Sequence, residues 1–113
     1  MIKEINFLPN EIVIEEEKKG FFGIKKKTIN INIQSIKQIE KCVQDEVITS
    51  INIKYKEYEM YFIENVNYNG DLNVIYEKIL NYREGNLFEV VETDLTNGEP
   101  TITILFEGNL PNN

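Results

Sequence analysis

The chain has 113 residues and a mass of 13.3 kDa, a length that suits one compact domain and is too short for two independent cores. Hydrophobic residues make up 42% and charged residues 27%, a balance that excludes wholesale disorder. The net charge is -7 and Arg83 is the sole arginine, which argues against a nucleic-acid partner because phosphate binding needs a basic surface.

The charge is unevenly distributed along the chain. Residues 1–60 contain ten lysines and ten acidic residues, a net charge of 0, whereas residues 61–113 contain two basic and nine acidic residues, a net charge of -7. We therefore expect the C-terminal half to attract a protein partner with a basic surface.

Neither a membrane-spanning segment nor a secretory signal is predicted. No stretch approaches the roughly 18 apolar residues that a spanning helix needs, and the first residues lack the apolar run of a signal peptide. Cys42 is the only cysteine, so no internal disulfide can form. These features favour a cytoplasmic protein with Cys42 as a buried thiol.

The first third of the chain reads as strands. Residues 5–8 are predicted to form a short edge strand that ends before Pro9. Residues 11–15 are strand-like and residues 29–33 alternate apolar and polar side chains. Glycines bound the segment 20–23 between them, so we predict a long antiparallel pair joined by a turn.

The middle of the chain is partly ambiguous. The apolar spacing of residues 35–43 fits either a short helical turn or an irregular strand, and both alternatives stay open. Residues 47–55 return to alternation and residues 58–63 follow closely, which predicts two antiparallel strands joined by a tight turn.

One amphipathic helix is predicted over about residues 71–84. Asp71 can cap its first amides and Gly85 follows its end. One face of this helix is apolar apart from a terminal arginine, and it comprises Leu72, Ile75, Tyr76, Ile79, Leu80 and Arg83.

A C-terminal β-hairpin is predicted next. Asn97-Gly98 between the strand-like runs 87–95 and 100–106 is a strong hairpin signal. Residues 108–113 are expected to be a disordered tail. Residues 1–107 are thus predicted to be a single α+β domain with a strongly bent antiparallel sheet or open barrel.

The residue types offer little catalytic chemistry. The chain has no histidine, which is the usual base near neutral pH and the commonest ligand of transition metals. It also has no phosphate-binding loop and no nucleophile elbow. The carboxylates of residues 15–17 alternate across a strand, so a solvated strand end is favoured over an acid/base pair. We expect no enzyme activity, no cofactor and no metal site.

The most distinctive segment is the turn at residues 18–27. Two phenylalanines lie among five lysines there: Lys18, Lys19, Phe21, Phe22, Lys25, Lys26 and Lys27. Such a tip could insert its rings into a membrane interface while the lysines meet anionic headgroups. The simpler interpretation, favoured by the sequence alone, is that Phe21 or Phe22 folds back over the core and the lysines are solvated.

The order of elements from residue 11 to residue 83, several antiparallel strands followed by one amphipathic helix, resembles the bacterial pleckstrin-homology-like and GRAM-like domains. The segments that carry the resemblance are residues 23–31, 36–40 and 72–82. In that family the first strand pair often presents basic residues to anionic lipid headgroups. The resemblance would give that role to the five lysines, whereas the hairpin at 87–106 lies beyond the usual end of such domains.

Three functions are expected from these observations. The leading one is a non-enzymatic protein-binding module, such as a stoichiometric inhibitor or a toxin-neutralising immunity protein. Its basic partner would meet an acidic face made by Glu89, Glu92, Asp94 and Glu99. The first alternative is a membrane-surface module that binds anionic lipid through residues 18–27. The second is a small-molecule carrier.

Overall fold

The computed structural model describes residues 1–83 and 88–108. In these ranges the chain forms eight strands and one α-helix, in the order β1 (Ile2–Phe7), β2 (Glu11–Gly20), β3 (Gly23–Asn32), β4 (Ile36–Gln44), β5 (Val47–Tyr55), β6 (Glu59–Glu64), α1 (Leu72–Tyr82), β7 (Glu89–Asp94) and β8 (Thr101–Phe106). A short 3-10 helix, Ile33–Ser35, links β3 to β4.

The strands form two sheets. β1, β2 and β3 make an antiparallel sheet in chain order, and the other five strands form a second sheet in the order β6-β5-β4-β7-β8. The α+β class, the helix and the terminal hairpin are confirmed. In place of one bent antiparallel sheet, however, the described strands build two sheets without a closed barrel, and β4 pairs with β7 in parallel.

The parallel pair follows from the path of the chain around α1. β6 lies at one edge of the five-stranded sheet, and the chain then passes through α1 and returns beyond β4. A helical crossover is the usual way to bring two strands back in the same direction. No local pattern in the sequence specifies which strand receives β7.

The segment left open by the sequence is strand β4. Ile36, Ile39, Cys42 and Val43 are all buried although they do not alternate. Register shifts against β5 occur between Ile36 and Gln38 and between Cys42 and Val43. A bulge changes which face of the sheet a side chain meets, so an irregular strand produces the spacing that also fits a helical turn.

The helix begins where the sequence predicts. The Asp71 carboxylate accepts a hydrogen bond from the Asn73 amide at 2.9 Å, which satisfies one of the free donors of the first turn. Leu72, Ile75 and Ile79 are buried on one face. The predicted end of the helix at about residue 84, Gly85 after it and the predicted strand start at residue 87 lie outside the described residues, as do residues 109–113 of the predicted tail.

Both sheets and the helix contribute to one apolar core. Ile14 of β2, Ile39 of β4, Ile53 of β5 and Ile79 of α1 are fully buried members of it. On the opposite face of the five-stranded sheet, side chains at the two edges stay half exposed, as Phe62 of β6 illustrates. One face of this sheet is therefore packed against the core, and among the described residues the other face, which we call the open face, is exposed at its edges.

Candidate functional site: the tip of the β2–β3 hairpin

The outer end of the β2–β3 hairpin projects from the body of the protein. β1 pairs with β2 only as far as Glu16, and the Glu17 amide donates to the Met1 carbonyl oxygen at 2.9 Å. At roughly 3.3 Å per residue, the ribbon extends about 10 Å from Glu17 to Gly20. Residues 18–27, which we call the hairpin tip, are all exposed.

The turn at the end of the tip presents two phenylalanine rings to solvent. Gly20 pairs with Gly23. Gly23 has a φ of 118°, a backbone conformation that residues other than glycine rarely adopt. Phe21 is 100% exposed and Phe22 is 99% exposed, with their ring centroids 5.5 Å apart at an interplanar angle of 70°. The interpretation that one of these rings folds back over the core is therefore wrong.

Exposure of this kind carries a free-energy cost. A phenylalanine side chain gains about 1.5–3 kcal/mol when it moves from water to an apolar environment. Both rings forgo that gain, because they contact each other edge to face and no core residue. An apolar phase that received the tip would recover it.

The five lysines of the tip lie on both strands, on either side of the two phenylalanines. Strand alternation places Lys18, Lys25 and Lys27 on one face of the ribbon and Lys19 and Lys26 on the other. Lys18 lies directly opposite Lys25, and like charges in that position destabilise a strand pair. Among the described residues none of the five lysines forms an ion pair. An anionic surface would relieve this repulsion.

The tip and the rest of the protein have opposite net charges. The tip contains five of the 12 basic residues and none of the 19 acidic residues, so its charge is +5. The remaining residues carry seven basic and 19 acidic side chains, a net charge of -12. The molecule is therefore an acidic body with one basic projection.

The base of the hairpin is fixed to the five-stranded sheet. The Tyr61 hydroxyl of β6 donates a hydrogen bond to the Glu16 carboxylate of β2. Burial, and then the hydrogen bond to Glu16 and its charge, raise the pKa of Tyr61, so the phenol keeps its proton and remains a donor. Lys3 lies 3.8 Å from Glu17. The predicted solvated strand end therefore describes Glu15, whereas Glu16 and Glu17 help to position the tip.

The four acidic residues of the predicted acidic face do not share one surface. Alternation along β7 places Glu89 on the opposite side of the sheet from Glu92 and Asp94, and Glu99 lies in the following turn. Three of them have partners among the described residues. Glu89 accepts from Gln38 at 2.7 Å, Glu92 lies 3.1 Å from the Lys41 ammonium, and Asp94 accepts from the Thr96 amide at 2.9 Å.

A polar cluster that the sequence did not reveal lies on the open face of the five-stranded sheet. The Glu40 carboxylate accepts hydrogen bonds from Asn52 at 2.9 Å and from Thr93 at 2.6 Å. Asn52 and Thr93 are each 6% exposed, and Asn52 Oδ1 is buried without a partner among the described residues. The sequence fits either a helical turn or an irregular strand at residues 35–43, so it does not predict that Glu40 lies beside residues of β5 and β7.

Cys42 lies beside this cluster. It is buried, as predicted, and burial raises the pKa of its thiol.

Within the described ranges no group of three or more cysteine or acidic side chains is arranged to hold a metal ion. No helix in the same ranges is long and apolar enough to cross a membrane. Comparison of the chain with protein-family models, curated proteins and solved structures found no match.

Proposed function

We propose that this protein is a peripheral membrane-binding module that docks on anionic lipid surfaces through its hairpin tip. The observation that carries the proposal is the complete exposure of Phe21 and Phe22 at the end of a projecting ribbon. Aromatic rings partition favourably into the interface between lipid headgroups and acyl chains, and the surrounding lysines would meet the headgroup phosphates.

The charge distribution favours one orientation on the membrane. An anionic surface attracts the tip and repels the acidic body, so the protein would approach with the tip first. The Debye length is about 8 Å at physiological salt. The tip extends about 10 Å beyond the β1 contact, so it can touch the surface while most of the body charge is screened.

The expected binding is reversible. Each lysine close to an anionic membrane contributes about 1 kcal/mol, and each inserted ring adds at most its transfer free energy of about 1.5–3 kcal/mol. Ordering and loss of rotational freedom oppose these terms.

The pleckstrin-homology-like resemblance, which stays a prediction, supports the same role for the basic hairpin. The protein-binding and small-molecule carrier functions also stay predictions, and the scattered acidic residues of β7 do not add support to the first.

Sedimentation with lipid vesicles tests the proposal. The parent protein should pellet with vesicles that contain phosphatidylglycerol and stay in solution with pure phosphatidylcholine. Phe22→Ser should weaken binding about tenfold because it removes one inserting ring. Lys26→Glu should weaken it at least as much, because it replaces an attraction with a repulsion.

Two substitutions in the body serve as matched controls. Val66 is 82% exposed and Lys37 is exposed, but both lie outside the tip. Val66→Ser and Lys37→Glu should bind vesicles as the parent does. The proposal fails if the parent does not pellet with anionic vesicles, or if the two tip variants bind as tightly as the two controls.

A further inference from the structure

Among the described residues, β8 is the only edge strand without a charged side chain. β1, β3, β6 and β8 are the edge strands of the two sheets. β1 contains Lys3 and Glu4, β3 contains three lysines, and β6 begins and ends with glutamate. β8 reads Thr-Ile-Thr-Ile-Leu-Phe. Charged residues on edge strands discourage pairing with other chains, so of the four described edge strands β8 lacks this protection.

The side chains of β8 are also suited to strand addition. Ile102 and Ile104 are 66% and 53% exposed on the open face, where they lie opposite Thr93 and Val91 of β7. Both are β-branched, which favours a pleated, half-buried surface. An additional strand along β8 would cover their exposed sides and satisfy the outward backbone groups.

The C-terminal end of β8 is held in place before any partner arrives. Arg83 Nη2 donates to the Glu107 carbonyl oxygen at 3.1 Å, and its guanidinium lies 4.9 Å from the centroid of the Phe106 ring. The same nitrogen donates to the Phe88 carbonyl oxygen at 3.2 Å. A partner strand would therefore meet a preformed edge, which lowers the entropic cost of binding.

The acidic residues at both ends of β8 indicate which kind of strand would bind there. Exposed Glu99 precedes β8 and exposed Glu107 follows it, and neither forms an ion pair among the described residues. If two copies paired antiparallel with Thr103 opposite Thr103, Glu99 of each copy would lie opposite Glu107 of the other. Like charges in opposite positions disfavour that arrangement. A strand with basic residues at both ends would instead be attracted at both ends of β8.

We propose that the outer edge of β8, which pairs with no other described strand, binds by antiparallel strand addition an extended segment of another protein that is apolar at alternate positions and basic at both ends. This interaction lies in a different sheet from the hairpin tip and does not depend on membrane binding. Together the two sites would make the protein an adaptor between a membrane surface and a partner.

A synthetic peptide provides the probe. The peptide Lys-Lys-Val-Thr-Ile-Thr-Val-Lys-Lys, titrated into the full-length protein, should slow amide hydrogen exchange along β8 by about tenfold or more at saturation. The same peptide with glutamate in place of lysine should give no protection. A version with N-methyl groups on alternate residues should also fail, because it lacks the donors that the edge requires.

Variants separate this site from others on the same sheet. Ile104→Lys should weaken peptide binding about tenfold by placing a charge on the edge. Phe62→Lys, at the opposite edge of the same sheet, should bind the peptide as the parent does. A Phe21→Ser/Phe22→Ser double variant should also bind it, so failure of the membrane proposal would leave this result unchanged.

Three outcomes would overturn the proposal. The first is that the basic peptide leaves exchange along β8 unchanged. The second is that the acidic or N-methylated peptide protects β8 equally well. The third is concentration-dependent dimerisation in analytical ultracentrifugation that Ile104→Lys abolishes, because β8 would then be occupied by a second copy of this chain.

Discussion

Glu40 is a carboxylate whose protonation is coupled to the packing of three strands. Burial by itself would raise its pKa, but hydrogen bonds from Thr93 and Asn52 and the nearby Lys54 charge outweigh that effect, so the pKa of Glu40 lies below its usual value. The charged form is therefore favoured in the folded protein. Its stabilising contribution is present above the unfolded-state pKa and is lost as the pH falls through the lower folded-state pKa.

Replacement of Glu40 should reduce stability in a pH-dependent way. We expect Glu40→Gln to lower the free energy of unfolding by about 1 kcal/mol at pH 7, because two charge-assisted hydrogen bonds are weakened. The difference from the parent should shrink as the pH falls from about 5 toward 3. Urea denaturation at several pH values measures both quantities. Glu15→Gln, at an exposed carboxylate, is the control, and an equal or pH-independent loss in both variants would contradict the assignment.

At the scale of elements, the sequence identified those elements that local signals specify. α1 has an aspartate cap and a continuous apolar stripe, and the terminal hairpin has Gly98 with a φ of 82° in its turn. β4 was ambiguous because two register shifts disturb its alternation. The parallel β4–β7 pair could not be predicted, since it depends on where the chain returns after α1.

The turn between β4 and β5 contains strain that the sequence did not signal. Asp45 and Glu46 have φ values of 50° and 66°, the left-handed conformation that costs most residues about 1–2 kcal/mol relative to glycine. The Asp45 amide also donates to the Thr96 hydroxyl oxygen at 2.9 Å, which ties this turn to the terminal hairpin. Two consecutive left-handed residues are the geometry that favours an Asp-Gly sequence.

Glu46→Gly should therefore stabilise the protein. We expect the free energy of unfolding to rise by about 0.5–1 kcal/mol, because relief of the strain exceeds the extra chain entropy of glycine. Gln44→Gly is the matched control, since Gln44 is an exposed residue of β4 without a positive φ and should lose a similar amount. Thermal and urea unfolding report the difference. A Glu46→Gly protein that is less stable than the parent would refute the role given to the turn.

At the scale of the whole molecule, the separation of charge is the property most relevant to the proposed function. A tip of +5 on a body of -12 gives the protein a preferred approach to any anionic surface. The sequence revealed the lysines and phenylalanines, but the interpretation that it favoured folded Phe21 or Phe22 back over the core. The sequence could not reveal that the tip projects. The projection arises because β1 pairs with β2 only as far as Glu16, and this register depends on the three-dimensional fold.

The proposed orientation can be measured because the chain contains no tryptophan. In Phe22→Trp the single indole should enter the interface, so its emission should shift to shorter wavelength with phosphatidylglycerol vesicles. In Phe62→Trp the indole lies on the body and should keep its emission, because the acidic body stays away from the surface. Raising NaCl from about 0.15 to 0.5 M should weaken binding of both variants by screening the lysines. Equal spectral shifts in the two variants would show that the body touches the membrane, which is incompatible with approach by the tip.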